Sequence, residues 1–284
     1  MKIYRLIALF FPILLFSACT GSAYKLPAVS QAETIQKQAE VDADETPIKT
    51  FKRSDAYYKK QLAAITKRLT KSAQPLCKSS EYDPCYFEVT YSNDTLINAY
   101  AHENYKITVF KGLLDYLETN DEMAAVVAHE MGHHLAHHNE ETAQNAAAGA
   151  AISGLVTAIL IGAANANNPY YNSYQQQQDQ ETMQNMMAAG AKIGAISYSK
   201  EQEREADLLG AYLVKYAGYD LKKAERLLYV FTKIDGEEAA HMGNAKAAIL
   251  DTHPPSSERV VAWEKTIQEI KGNKAGIPYL KETK

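Results

Sequence analysis

Cysteine is scarce in this sequence, and acidic residues outnumber basic ones. Three cysteines in 284 residues are too few for a disulfide-stapled scaffold. The 30 basic residues are outnumbered by 34 acidic ones and the pI is near 6.1, so we expect no basic surface and no nucleic-acid partner. With 46% apolar and 23% charged residues, the composition excludes a disordered chain, a collagen and a polytopic membrane protein.

The first 18 residues have the composition of a secretory signal. Lys2 and Arg5 precede an eleven-residue apolar run, 6–16, which is too short to span a membrane. A buried helix is the alternative, but the run has no amphipathic pattern. We therefore predict that residues 1–18 are a signal peptide and that the chain is exported.

The end of that run resembles a bacterial lipobox. In residues 15–19, Leu-Phe-Ser-Ala-Cys, Cys19 is the residue that would be acylated and become the new N-terminus. Phe16 departs from the pattern, which prefers Leu there. Thr20 follows, rather than Asp, which by analogy with such lipoproteins favours the outer membrane. The expected location is the periplasm, with a lipid on Cys19 holding the chain at the outer membrane.

Two cysteines remain after that processing. Cys77 and Cys85 are eight residues apart, and in an oxidising periplasm such a pair favours a disulfide. A metal site is the weaker alternative, because no second pair of ligands lies near them.

Helix and strand signals predict a mainly helical α+β domain over 51–272. The polar and acidic residues 19–50 are expected to form a flexible tether, and residues 273–284 a C-terminal tail. Helical periodicity begins near Ser54, and strands are predicted over 86–91, 95–101 and 106–110. Later helices are predicted over 122–138, 181–195, 199–217, 221–233 and 256–270.

Charge is absent from 142–178. The first part, 146–164, is long enough for a membrane span, but it is rich in Ala and Gly, which favours a helix that is buried or lies on a surface. Residues 165–180 contain Asn-Asn-Pro and four consecutive Gln and are expected to form a loop. The sequence does not decide whether the segment 142–178 is a lid, a plug or a membrane contact.

The segment 129–133, His-Glu-Met-Gly-His, has the spacing of a metal site. Residues four apart on a helix share a face, so His129 and His133 can offer two imidazole nitrogens to one zinc ion. Glu130 can reach a water molecule beside the metal. A catalytic zinc needs three protein ligands and one open position, and it activates water for attack on a carbonyl. The alternative is a histidine-rich, exposed helix end.

A third ligand has to come from elsewhere in the chain. Zinc proteases with a third histidine would need it at Asn139. The other solution is a carboxylate on the later predicted helix, which carries Glu201, Glu203, Glu205 and Asp207. Glu203 and Asp207 are four apart, so one can bind the zinc while the other accepts a hydrogen bond from a ligating histidine.

Together, the segments 129–133 and 203–207 resemble metallopeptidase family forty-eight, the gluzincin group of the HtpX, CAAX prenyl and Oma-type proteases. The segments 98–101 and 106–110, and His253-Pro254 with Arg259, match it as well, so that the resemblance covers roughly residues 55–270. The chain is more similar to the periplasmic lipoprotein members of this family than to the multi-spanning ones.

The resemblance implies a gluzincin fold with a small sheet beside the active-site helix. It implies one zinc per chain on His129, His133 and Glu203. Asp207 would assist Glu203, and Glu130 would be the general base. It also implies that the strand 106–110 lies at the edge of the sheet and pairs with extended substrate backbone.

Two further residues follow from the same resemblance. His253 is expected to be catalytic, approaching the zinc as a gate or as a donor to the transition state; a capped turn residue is the alternative. Arg259 either neutralises a buried acid of the site or only pairs with Glu258 or a helix end.

The implied function is a zinc-dependent endopeptidase of the bacterial envelope, which hydrolyses peptide bonds of misfolded or misassembled proteins. The alternative is an outer-membrane assembly factor or chaperone that works with the outer-membrane assembly machinery and has a closed or regulated zinc site.

Overall fold

The computed structural model describes residues 22–77, 85–102, 104–166, 168–194, 198–241 and 253–282. This part of the chain is mainly helical with one small sheet, which is the predicted α+β class. The helices are α1 Gln31–Asp42, α2 Asp55–Cys77, α3 Lys111–Leu114, α4 Asn120–Leu135, α5 His138–Asn165, α6 Ser173–Gly194, α7 Lys200–Tyr216, α8 Leu221–Ala224, α9 Arg226–His241 and α10 Ser257–Gly272. The strands are β1 Glu88–Ser92, β2 Ala99–Ala101 and β3 Lys106–Phe110.

The three strands form a mixed sheet in the order β1-β3-β2. β3 is parallel to β1 and antiparallel to β2, where Tyr100 lies beside Thr108. The expectation that 106–110 is an edge strand is therefore wrong, because β3 is bonded on both sides. Its side chains Ile107 and Val109 are fully buried, as is typical of a central strand. Among the strands that the structure describes, β1 and β2 lie at the edges.

Helices α4 and α7 cross at two glycines in the core. A Cβ on Gly132 would lie 2.6 Å from the carbonyl oxygen of Ala206, and a Cβ on Gly210 would lie 3.3 Å from the backbone of Ala128. Only glycine allows the two backbones to approach so closely. The crossing brings the first turns of α7 beside the last turns of α4, where the predicted ligands lie.

Residues 22–50 differ from the expected tether. Ser30 and Glu33 form a reciprocal capping box that starts α1, and this helix packs against α9 and α10 with Val41 buried. Tyr24 and Leu280 form a β-bridge, so part of the predicted C-terminal tail lies against the N-terminal segment. The predicted signal peptide 1–18 and Cys19 lie outside the described residues.

Helices α5 and α6 form an antiparallel hairpin, and each makes its most extensive contact with the other. The loop expected over 165–180 is shorter than predicted, because α6 already begins at Ser173. Its start is fixed by Asn172, whose side-chain oxygen accepts hydrogen bonds from the amides of Tyr174 and Gln175. Among the described helices α5 is the one long and apolar enough to cross a membrane. Only 11% of its most apolar 18-residue stretch is buried inside the protein, so it is not a core helix.

The structure joins Cys77, at the end of α2, to Cys85 in a disulfide. This bond links the end of α2 to the segment that leads into β1, as the spacing of the two cysteines predicted.

Candidate metal centre

Four side chains from three parts of the chain converge on one buried point, which we call the metal point. One ligand atom from each of His129, His133, Glu203 and His253 lies within 4.8 Å of every other. The Nε2 atoms of His129 and His133 are 3.0 Å apart, and Glu203 oxygens lie 3.5 Å and 3.3 Å from them. His253 Nδ1 is 3.0 Å from Glu203 Oε1. The distant carboxylate therefore meets the two histidines, as a metal site on these residues requires.

Local sequence positions each of these donors. His129 and His133 are one turn apart on α4, which is capped by Thr119. Glu203 lies in the first turn of α7, which starts with a capping box of Ser199 and Gln202. His253 precedes two prolines that restrict the backbone before α10.

The chemistry of this donor set fits a metal ion. The Nε2 atoms of His129 and His133 are 3.0 Å apart, so they cannot both carry a hydrogen. The other polar atoms close to them, His253 Nδ1 and the oxygens of Glu203, can also donate lone pairs to a metal. Glu130 Oε2 and His253 Nε2 are buried without a hydrogen-bond partner. Buried polar atoms of this kind normally have a partner, so these two atoms mark a place beside the four donors for a water molecule or another polar group.

His129 is held from behind by an acid that is itself held by an arginine. Asp207 Oδ1 accepts a hydrogen bond from His129 Nδ1 at 2.9 Å, which leaves the Nε2 lone pair free for a metal. Arg259 donates to both oxygens of Asp207, at 2.7 and 2.8 Å, and its Nη1 lies 2.5 Å from Glu203 Oε2. Arg259 therefore neutralises the buried acids, and Glu258 pairs with Arg204 instead.

These contacts set the charge state of the site. Burial raises the pKa of both carboxyls, but the charge of Arg259, together with the neighbouring histidines and hydrogen bonds, outweighs it and holds the pKa of Asp207 and of Glu203 below the ordinary range. Burial lowers the pKa of His129, whereas Glu203 and Asp207 raise it more, to about 10. A metal ion competes with that proton for Nε2.

His133 has a second support, the pair of His138 and Glu205, which no spacing in the sequence predicts. Its Nδ1 lies 2.9 Å from Nδ1 of His138, whose Nε2 lies 3.2 Å from Glu205 Oε2. The other oxygen of Glu205 accepts hydrogen bonds from the backbone amides of Ala23 and Tyr24, at 2.7 and 3.1 Å. The carboxylate accepts from His138 Nε2–H, so His138 Nδ1 accepts from His133 Nδ1–H. His133 Nε2 is left with a lone pair facing the metal point.

Comparison with known proteins agrees with this geometry. A model of Peptidase family M48 matches residues 59–267, more than two thirds of the chain. The chain belongs to peptidase family M48. This is the family whose residues the two segments resemble.

Three relatives show the extent of the match. The chain is 26% identical over 196 residues to "Mitochondrial metalloendopeptidase OMA1" of Arabidopsis thaliana, which covers 69% of this chain and 34% of that protein. It is 27% identical over 194 residues to "Metalloprotease LoiP" of Escherichia coli, covering 68% and 67%. It is 28% identical over 193 residues to "Metalloprotease YcaL" of the same organism, covering 68% and 66%. The matched part thus spans about a third of the plant protein and about two thirds of the bacterial ones.

The metal point of this M48 member is closed to large molecules. His133 has no exposed surface, and Glu130, Glu203 and His253 are 1–2% exposed. The cavity beside His129 and Glu130 has a volume of about 20 Å³, which holds about one water molecule. A peptide therefore reaches the metal point only after neighbouring elements move.

The remaining aromatic neighbours shape this M48 site. Tyr198 stacks on His133 with ring centroids 3.7 Å apart, and burial raises the pKa of its hydroxyl. His134 faces the carbonyl of Lys106 on β3 rather than the metal point. His102 contacts Thr108 at 2.8 Å. Neither His134 nor His102 has a donor atom in the group of four.

Proposed function

We propose that the chain is a zinc-dependent endopeptidase of the bacterial envelope. The observation that carries this proposal is the convergence of His129, His133 and Glu203, with Glu130 next to the first histidine. Two imidazoles and one carboxylate are the protein ligands of catalytic zinc in many metallopeptidases. Membership in peptidase family M48 supports the same reaction.

Glu130 and His253 have different roles in the proposed reaction. When bound, zinc supplies Lewis acidity, because it lowers the pKa of water towards 7 and polarises a carbonyl. Glu130 Oε2 has no hydrogen-bond partner, so it is free to take the proton of the attacking water and to pass it to the leaving nitrogen. His253 Nε2 lies 3.6 Å from Glu130 Oε1. From there it is within reach of the negative charge that develops on the carbonyl oxygen of the attacked peptide bond.

Substrate backbone is proposed to pair with β2 rather than with β3. β2 is bonded to β3 on one side, and it packs against α4, which carries His129 and His133. An extended peptide added to the other side would lie along the helix that holds the ligands. Unfolded chains can supply such a peptide, which supports misfolded or misassembled envelope proteins as substrates.

The proposed location follows from the N-terminal sequence. A signal peptide over 1–18 and a lipid on Cys19 would place the domain in the periplasm at the outer membrane. The disulfide between Cys77 and Cys85 suits an oxidising compartment.

The experiment compares Glu130→Gln with the wild type. We expect Glu130→Gln to keep one zinc per chain and to lose about 10²–10⁴-fold in cleavage of fluorescent casein, because the general base is removed. Glu140→Gln is the matched control, since Glu140 is an exposed acid on the next helix, and it should retain full activity. Equal activity of Glu130→Gln and wild type would contradict the proposal.

A regulated site is the second candidate, and His253 favours it. Its Nδ1 is 3.2 Å from His129 Nε2, inside the donor group, so the ring can occupy the position that a water molecule needs. Such a protein would act mainly as an assembly factor or chaperone beside the outer-membrane assembly machinery. If this holds, His253→Ala raises casein cleavage without a change in zinc content; a fall in cleavage assigns His253 to the reaction instead.

A further inference from the structure

The outward surface of α5 is apolar and exposed. Its large side chains are between 50% and 65% exposed: Ile152, Leu155, Val156, Ile159 and Leu160. We call these five residues the α5 face. The most apolar window of this helix has a mean hydropathy of 2.0. Single exposed apolar residues are ordinary on a protein surface, but a contiguous set of this size marks an interaction site.

The inner surface of α5 is already occupied by α6. A Cβ on Gly190 of α6 would lie 2.3 Å from the carbonyl oxygen of Gly149 and 2.1 Å from Ser153 Oγ, and a Cβ on Gly154 would lie 2.9 Å from Met187. Small residues at these positions let the two helices pack closely. The hairpin is therefore a paired unit that presents the α5 face outward.

The second helix gives the hairpin a polar side. The exposed residues of α6 include Gln177, Gln178, Glu181 and Gln184, and Asp179 accepts hydrogen bonds from Asn165 and from the hydroxyl of Tyr171. If the hairpin crossed a bilayer upright, these polar groups would enter the hydrocarbon, which is costly. If the axes of both helices lie parallel to the membrane plane, the α5 face enters the lipid and α6 stays in water.

The tip of the hairpin carries exposed tyrosines. Tyr170, Tyr171 and Tyr174 are 82%, 41% and 68% exposed. Tyrosine is enriched at membrane–water interfaces, where its ring meets the acyl chains and its hydroxyl meets the headgroups. These side chains suit the edge of a lipid-contacting surface.

The N-terminal segment reaches the base of the same hairpin. Ala23 donates to Glu205, and Glu205 contacts His138, the first residue of α5. Only two residues lie between Cys19 and Ser22, a span of at most about 10 Å. The α5 face begins 14 residues beyond His138, about 20 Å further along the helix axis. A lipid on Cys19 and the α5 face would thus form two separate contacts with one membrane, and one acyl group alone gives marginal binding.

We propose that the α5–α6 hairpin lies flat on a lipid bilayer, with the α5 face inserted at the boundary between headgroups and acyl chains and with α6 towards water. The segment 142–178 has no charge, so insertion depends on apolar contact and not on anionic lipid. The proposal does not depend on peptidase activity.

The test places one fluorophore on each side of the hairpin in the full-length protein. Ile159→Cys puts an environment-sensitive dye on the α5 face. Gln184→Cys is the matched control, since it is exposed on α6 at a similar height, as the Gly154–Met187 and Asn165–Asp179 contacts show. Each protein is bound to phosphatidylcholine vesicles that contain lipids with a quencher on the acyl chain. The vesicle-bound fraction is measured at low and high salt.

We expect a blue shift of the dye emission and severalfold stronger quenching at position 159 than at position 184, with little dependence on salt. Equal quenching at the two positions, or an absence of vesicle binding, overturns the proposal. A blue shift at position 159 that occurs without vesicles and grows with protein concentration also overturns it, because the α5 face is then covered by a second copy of the chain.

Discussion

Nδ1 of His133 lies 2.9 Å from Nδ1 of His138. Because Glu205 fixes the proton of His138 on its other nitrogen, this contact orients the His133 ring and frees its Nε2. Asp207 does the same for His129. Both histidines are therefore prepared for a metal by partners that do not touch it, and the partner of His133 is tied to the N-terminal segment.

The first prediction concerns Glu205. Glu205→Met removes the acceptor for His138 and should weaken zinc binding by about 10–100-fold, since partners behind a metal ligand contribute on this scale. Glu205→Gln keeps one acceptor and should lie between Met and wild type. Competition with a chromophoric chelator measures the affinity. Glu201→Met is the control, because Glu201 pairs with Lys281 at the surface; equal affinities for the Glu205 and Glu201 variants would refute the role of Glu205.

The second prediction concerns Arg259. Arg259→Met removes the cation that the two buried acids Asp207 and Glu203 share, so their charges are no longer fully balanced, which should lower the free energy of unfolding of the zinc-free protein by about 3–5 kcal/mol. Urea denaturation at neutral pH measures this change. Arg204→Met is the control, because its pair with Glu258 is partly exposed and its loss should cost less than the loss of a fully buried pair. Similar losses for both variants would show that Arg259 has no special part in the site.

The third prediction concerns the crossing of α4 and α7. Gly132→Ala forces a Cβ to within 2.6 Å of Ala206, so the helices must separate, at a cost of about 1–3 kcal/mol in the free energy of unfolding. Because the crossing also sets the distance from His133 to Glu203, zinc affinity should fall too. Gly162→Ala is the control, since no atom lies within 4 Å of its added Cβ. A Gly132→Ala protein with unchanged stability and zinc affinity would contradict the packing argument.

Local signals predicted most of the side chains that the structure brings together in the donor group. The spacing of His129 and His133 and the acids at 203 and 207 are short-range patterns, and each lies on a helix with a visible cap. The helix α1 was also encoded locally, by Ser30 and Glu33, although polar composition led to the prediction of a tether. Composition describes how soluble a segment is and not what it packs against.

Long-range pairing could not be predicted in the same way. The order of the strands depends on which backbones meet across the sheet, and the alternation of Ile107 and Val109 is the same in an edge strand and in a central one. Likewise, His138 and Glu205 are 67 residues apart, and no spacing rule links them. Their contact exists because α4 and α7 cross at Gly132, a consequence of tertiary packing.

The most direct test of the central claim is anomalous diffraction at the zinc edge from crystals of the zinc-loaded protein. We predict one strong peak per chain, about 2.0–2.2 Å from Nε2 of His129, Nε2 of His133 and a carboxylate oxygen of Glu203. A peak held by other residues, or Glu203 turned away from a zinc ion on the two histidines, would contradict the account.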